Sequence, residues 1–227
     1  MSPLMVAAFQ ALTDEQVVER VRLGETALFE VLMRRHNVRL YRAVRSVVRD
    51  ESDVEDVMQQ AYINAFMHLD QFAGRAKFST WLTRIAIHEA LARARRQETR
   101  RERPFDSDGE GHDAREETMA AGDPTPEHRA FSAELHALLE EAIDALPEGY
   151  REVFMLREVE GMSTAEVGDA LELGEEAVKT RLHRARGLLR DHLYARTGTQ
   201  AAQAFQFHAV RCDRVVAGVF RRIGEEH

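Results

Sequence analysis

Cysteine is nearly absent from this sequence, since Cys212 is the single one in 227 residues. One thiol excludes an internal disulfide framework and a cysteine-rich zinc site. Long apolar runs are also missing: no stretch of about 18 apolar residues occurs, which argues against a membrane span. Residues 1–10 are apolar but lack the basic start and cleavage site of a signal peptide. We interpret them as an N-terminal tail and expect a cytoplasmic protein.

Proline and aromatic residues are scarce as well. Five prolines and 13 glycines leave room for long helices. An aromatic content of 7% beside 31% charged residues favours a helical fold over a β-sandwich. We therefore predict an all-α protein, and the 44% of hydrophobic residues is enough for real cores.

Basic charge is in deficit, because the formal net charge is −8. Its distribution matters more than its sum. Basic residues cluster at 93–103 and at 179–190, on an otherwise acidic chain. Residues 104–129 are rich in Asp, Glu, Gly and Pro without an apolar stripe, which predicts a flexible acidic linker. The predicted segments are an N-terminal tail (1–10), a helical domain (11–103), the linker (104–129), a second helical domain (130–195) and a short helical C-terminal extension (196–227).

Apolar residues in the first predicted domain recur at helical spacing. The run Ser52-Asp53-Val54-Glu55 has the pattern of a capping box, which predicts that a helix starts there. Another long helix is predicted from about Ser79 towards Arg101. One apolar stripe comprises Phe29, Met33, Leu40, Val44 and Val48.

The second predicted domain contains a helix-turn-helix pattern. Helices are predicted over about Phe131–Ala145 and Tyr150–Glu158. Ser163-Thr164-Ala165-Glu166 is another capping box and opens a short helix. A three-residue turn with a glycine follows at 172–174, and a longer helix runs from Glu175 to about Leu193.

The last of these helices has two chemically different sides. Val178, Leu182, Ala185 and Leu189 share one side and are expected to pack on the preceding helix. The other side mixes cations with Glu and Thr, which suits a major groove, because Arg and Lys bind phosphate or guanine and Glu accepts from cytosine. An ordinary helical hairpin with a solvated basic face fits the same spacing.

Three segments resemble one known family. They are LPEGYREVFMLREVEGMSTAEVGDALELGEEAVKTRLHRARGLLR, LFEVLMRRHNVRLYRAVRSVVRDESDVEDVMQQAYINAFMHLDQF and FSTWLTRIAIHEALARARR. The first resembles domain 4, and the other two resemble domain 2, of bacterial RNA polymerase sigma factors of the extracytoplasmic-function (ECF) group of the sigma-70 family. The resemblance implies an alternative sigma factor that binds core RNA polymerase, guides it to promoters through −10 and −35 elements and promotes promoter opening. It implies no catalytic centre, no cofactor and no metal.

The resemblance also implies roles for particular residues. A helix of domain 2 would dock on the β′ clamp helices, while the β flap is the other polymerase contact. The residues for this docking are Asp53, Glu55, Asp56, Gln59 and Gln60. The residues for the −35 element are Glu176, Lys179, Thr180, Arg181, His183 and Arg184. A solvated face that only caps its helix is the alternative for the docking residues.

The −10 element would meet the segment from Asp70 to Arg101. A flipped base needs an aromatic or guanidinium platform beside a positive groove. The residues of suitable type are Phe72, Arg75, Lys77, Phe78, Trp81, Arg84, His88, Arg95 and Arg96. Phe72 and Phe78 suit a hydrophobic core equally well. The cations from Arg84 onward are expected to bind phosphate rather than recognise sequence.

A dimeric regulator and an enzyme are the two alternative classes of protein. A dimeric DNA-binding regulator would pair its helix-turn-helix with a ligand-binding or phosphoacceptor domain, and residues 11–103 resemble neither. An enzyme would need a phosphate loop, a metal-spaced cluster or a nucleophile with its base, and none is present.

The C-terminal extension contains a predicted helix over Phe207–Ile223. His208 and Cys212 there do not complete a metal site. The extension is expected to pack on a domain or bind a regulator, and an anti-sigma factor is left open as a partner.

Overall fold

The computed structural model describes residues 11–101 and 126–204, with side chains for 11–99 and 132–196. Within these ranges the chain is helical and has no strand, as the composition predicts. The N-terminal tail and most of the predicted linker lie outside the described residues. So do residues 205–227, which include the helix predicted over Phe207–Ile223 and the side chains of His208 and Cys212.

The first domain is a bundle of four helices in the described part of the chain, joined by short turns. The helices are α1 (Asp14–Arg22), α2 (Phe29–Arg45), α3 (Glu51–Met67) and α4 (Phe78–Arg101), with 3₁₀ turns at Thr26–Leu28 and Leu69–Gln71. Thr13 and Gln16 form a reciprocal capping box at the start of α1. The Thr-x-x-Gln pattern of this box is visible in the sequence at residues 13–16.

The core of the first domain follows the predicted stripe. Phe29, Leu40, Val44 and Val48 are buried, and Met33 packs against the core from its edge. Helix α2 itself ends at Arg45, so Val48 lies in the segment that follows the helix and still joins the core. Helices α3 and α4 pack on α2 and against each other, which closes the bundle.

The capping box predicted at Ser52 is wrong. Helix α3 begins at Glu51, and its N-cap is Asp50. The Asp50 carboxylate accepts from the backbone N–H of Asp53 at 3.1 Å and from the Ser52 hydroxyl at 2.5 Å. A carboxylate in that position satisfies a free amide at the helix start and lies favourably with the helix dipole. Ser52 is therefore inside the helix and is not its cap.

The second domain consists of α5 (Pro126–Asp144), α6 (Glu148–Phe154), α7 (Thr164–Leu171) and α8 (Glu175–Ala204). Helix α5 starts earlier than predicted and includes the last residues assigned to the linker, with proline at its first position, where a missing N–H costs nothing. Helix α6 gives way to a π-helical turn at Met155–Val159. Helix α8 runs past its predicted end and into the C-terminal extension.

The two domains pack against each other. One continuous buried cluster contains residues of α2, α3 and α4 together with residues of α6, α7 and α8, including Val44, Val153 and Val167. Helix α7 lies along α4, and the π-helical turn lies against α2. The sequence predicts two tethered domains but not this contact. Over residues 11–101 and 126–204, no helix is long and apolar enough to cross a membrane.

Candidate nucleic-acid interface

The helix-turn-helix predicted from Ser163 onward is confirmed. Ser163 caps α7, its hydroxyl accepting from the Glu166 amide while the Glu166 carboxylate accepts from the Ser163 amide at 2.7 Å. Helix α7 ends at Leu171, and its C-cap, Glu172, is left-handed at φ 56°. Gly168 allows the turn to approach, because a Cβ there would lie 2.7 Å from the carbonyl oxygen of Leu173. A side chain at position 168 would therefore force the turn away from α7.

Helix α8 presents two different sides, as predicted. Val178, Leu182, Ala185 and Leu189 are buried. Five of the six residues predicted for the −35 element are exposed, and Arg181 is partly buried against α6. The exposed five are Glu176, Lys179, Thr180, His183 and Arg184. The structure thus brings the whole predicted set to one surface.

Local contacts order this surface. The Glu176 carboxylate accepts from the Lys179 ammonium at 2.7 Å, and this hydrogen bond raises the pKa of Lys179. The Arg184 guanidinium donates to the Tyr150 hydroxyl at 3.3 Å. The Arg181 guanidinium lies against Gly149, 2.9 Å from where a Cβ would stand. The cations are therefore partly held in place by α6, which supports the surface from behind.

The aromatic residues predicted to meet the −10 element form a packed cluster. The ring centroids of Phe72 and Phe78 are 5.5 Å apart at an angle of 89°, and Trp81 is 5.5 Å from Phe72 and 5.7 Å from Phe78. Phe72 and Phe78 are buried, whereas Trp81 is only partly buried. The two phenylalanines occupy the core, so they cannot stack on a base without leaving it. Trp81 is the ring of this cluster that reaches the surface.

The cations predicted for the −10 element are all exposed, but two of them face carboxylates of the other domain. Arg75 and Lys77 lie in the loop before α4, and His88 and Arg96 lie on α4 itself. The Arg84 guanidinium is 3.8 Å from the Asp169 carboxylate on α7. The Arg95 guanidinium is 3.6 Å from the carboxylate of Glu172, at the end of α7.

The residues predicted to dock on polymerase separate into two groups. Glu55, Asp56, Gln59 and Gln60 are exposed along one side of α3.

Asp53 is placed differently, because it is 7% exposed. Its carboxylate accepts from Arg93 Nε at 2.8 Å and also from the Gln97 amide. Sequence reasoning missed Arg93 and Gln97 as partners. The sequence shows an acidic residue at the start of α3 and an arginine on α4. Their contact can be predicted only when it is known that these two helices pack together.

Metal binding has no support in the described part of the chain, where no group of three or more His, Cys, Asp or Glu side chains is placed to hold an ion. The described surface instead offers exposed cations on two helical domains, one of them a helix-turn-helix. That combination is typical of a DNA-binding protein.

Comparison with known families makes this class specific. Residues 32–100 match the family described as Sigma-70 region 2, and residues 136–189 match Sigma-70, region 4. The RNA polymerase sigma-H factor of Pseudomonas aeruginosa is 34% identical over 180 residues, which cover 76% of this chain and 90% of the relative. The ECF RNA polymerase sigma-E factor of Escherichia coli is 34% identical over 186 residues, covering 78% and 92%. The chain belongs to the sigma-70 family and is an alternative sigma factor of its ECF group, which directs RNA polymerase to promoters.

Solved structures agree with this fold. The structure of CnrH in complex with the cytosolic domain of CnrY matches with a TM-score of 0.51 and 28% identity, over 79% of this chain and 96% of that one. The sigma factor RpoE of Bartonella quintana, in complex with the anti-sigma factor NepR, matches with a TM-score of 0.53 and 20% identity, over 73% and 96%. The second likeness concerns the fold alone.

Proposed function

We propose that the exposed side of α8 binds the −35 element and that the surface around Trp81 and α4 binds the −10 element. The observation that carries this assignment is the single exposed surface formed by Glu176, Lys179, Thr180, His183 and Arg184 at the N-terminal half of α8. The N-terminal residues of such a helix meet base edges in the major groove. On this assignment, residues 11–103 and 130–195 act as separate DNA-binding domains, joined by residues 104–129.

Core polymerase is the proposed partner of the exposed side of α3. Glu55, Asp56, Gln59 and Gln60 would contact the β′ clamp helices, and the second domain would contact the β flap. Asp53 is left out of this contact set because its carboxylate already has two partners on α4. The protein acts on polymerase and promoter DNA without catalysing a reaction of its own, and it works in the cytoplasm, where the chromosome is.

An anti-sigma factor is a further proposed partner. A structural neighbour is titled as a sigma factor in complex with an anti-sigma factor, and this chain shares its fold. Such a regulator would compete with polymerase for the sigma factor.

Reconstitution with purified core polymerase tests the proposed function. Run-off transcription from a library of promoter fragments should yield defined transcripts only when the protein is added. If no fragment supports transcription above core polymerase alone, the assignment is overturned.

The recognition surface of α8 gives a sharper prediction. Arg184→Ala should weaken binding of the reconstituted holoenzyme to a −35 element about 10-fold, because one good base or phosphate contact contributes about 1–3 kcal/mol. Electrophoretic mobility shift titrations at fixed salt measure this. Arg196→Ala is the matched control, since Arg196 is also exposed on α8 but pairs with Glu141 of α5 at 2.7 Å. An equal loss in both variants would contradict a specific role for Arg184.

A further inference from the structure

Arg22, the last residue of α1, binds the backbone directly before the loop at residues 73–77. Its Nη2 donates to the carbonyl oxygens of Leu69 and Phe72, at 2.6 Å each. These carbonyls belong to the 3₁₀ turn Leu69–Gln71 and its C-cap. The guanidinium also lies 3.8 Å from the Asp70 carboxylate. Cations are favoured at such C-terminal carbonyls, which lack partners within the turn. The first helix of the chain therefore holds a segment about 50 positions away.

The loop at residues 73–77 is exposed between two anchored ends. Phe72 before it is 5% exposed and Phe78 after it is 1% exposed, with their ring centroids 5.5 Å apart. At the second end, the Trp81 amide donates to the Lys77 carbonyl at 3.1 Å as α4 begins. The guanidinium from α1 thus holds the first end of the loop, and α4 holds the second.

The same anchor places the aromatic cluster. Phe72 contacts both Phe78 and Trp81, whose centroids lie 5.5 Å from its own. Without Arg22, the Phe72 carbonyl would lose its side-chain donor at the position where the chain leaves the core. A loop freed at one end samples more conformations, and a ligand that binds it must order it again. The contacts of Arg22 therefore preorganise both the loop and the exposed ring of the cluster.

We propose that Arg22 is a positioning residue for promoter opening, because it holds the loop at residues 73–77 and Trp81 in the arrangement that captures an unpaired base. This inference rests on the proposed function, which assigns the surface around Trp81 to the −10 element. A base can be captured only after it has left the duplex. Arg22 therefore acts on the opening step rather than on the first binding of double-stranded promoter. Its guanidinium is occupied by backbone carbonyls and acts through the loop without touching DNA.

Kinetics of open-complex formation by the reconstituted holoenzyme test the inference, on a promoter selected by run-off transcription. Arg22→Ala should slow the opening step about 10-fold, the effect of having to order one or two loop side chains during base capture. Affinity of the closed complex should stay within about twofold of wild type. Abortive initiation measured over a series of holoenzyme concentrations separates the two quantities. A residue needed only for folding would lower the amount of active holoenzyme and leave the opening rate unchanged.

Two further variants complete the experiment. Arg22→Lys keeps a cation but replaces the planar guanidinium by a point charge, so it should slow opening by only about threefold. Arg20→Ala removes another α1 arginine, whose partner is Glu25 at 2.5 Å, and should leave both quantities within about twofold of wild type.

The outcomes are distinguishable. An unchanged opening rate in Arg22→Ala, or an equal slowing in Arg20→Ala, would overturn the inference. If circular dichroism shows that Arg22→Ala does not fold, the same criteria apply to Arg22→Lys. Absence of run-off transcripts with the wild-type protein would overturn the proposed function instead.

Discussion

Asp53→Ala is expected to lower the free energy of unfolding by about 2–3 kcal/mol, the range for a lost hydrogen-bonded charge partner. Asp53 joins α3 to α4, because its buried carboxylate accepts from Arg93 and Gln97. The Arg93 side chain is already 35% exposed, and its guanidinium also lies 3.7 Å from the Asp56 carboxylate, so it keeps a partner when Asp53 is removed. That second carboxylate and partial solvation keep the loss below that of a fully buried pair.

Urea denaturation followed by circular dichroism measures this loss. Glu55→Ala is the matched control, since Glu55 is exposed on the same helix, and it should change stability by less than about 0.5 kcal/mol. Core-polymerase affinity of both variants, measured where both are folded, separates the two possible roles. If Asp53→Ala left stability intact but abolished polymerase binding, the carboxylate would face polymerase rather than Arg93.

The helices themselves follow from local patterns in the sequence. Ser163 and Glu166 form the predicted cap, and Val178 and Leu182 are buried because they share one side of a 3.6-residue period. These features depend on residues within one or two turns of each other. They are visible without knowing the rest of the fold.

Closely spaced polar residues were harder to assign. Asp50, Ser52 and Asp53 are all suitable caps within four positions. The structure selects Asp50, whose carboxylate accepts from both of the others. Asp53 is the third residue of α3 and contacts α4, and this contact depends on how the two helices pack rather than on which residue is the cap.

Contacts between the domains could not be predicted from periodicity. Arg39 meets Glu160 across 121 positions of the chain, and Arg151 meets Ser46 across 105. A cation on a helix looks the same in sequence whether it faces solvent, DNA or a helix end. These contacts account for part of the acidic balance, because the carboxylates of Asp169 and Glu172 face cations of α4.

Glu152 carries the other large expected effect, which depends on pH. Glu152 on α6 is 6% exposed. Burial is the main cause that raises its pKa to about 7, with the neighbouring Glu148 adding to it, while Arg151 and Arg181 oppose the shift. Because the folded protein holds this proton more tightly than the unfolded chain, the ionised form is destabilising. The resulting stability is fully present below the ordinary pKa of 4.5 and is lost as pH rises through about 7.

Glu152→Gln should remove this dependence. Each unit of pKa shift corresponds to about 1.4 kcal/mol, so the variant should exceed wild type by about 3 kcal/mol above pH 7 and by little near pH 4.5. Urea denaturation at a series of pH values measures the difference. Glu148→Gln is the control: Glu148 is exposed one turn earlier on α6, so its direct effect should stay below about 1 kcal/mol. A difference between wild type and Glu152→Gln that did not vary with pH would mean that Glu152 is ionised in the folded protein throughout, with Arg151 and Arg181 outweighing the cost of its burial.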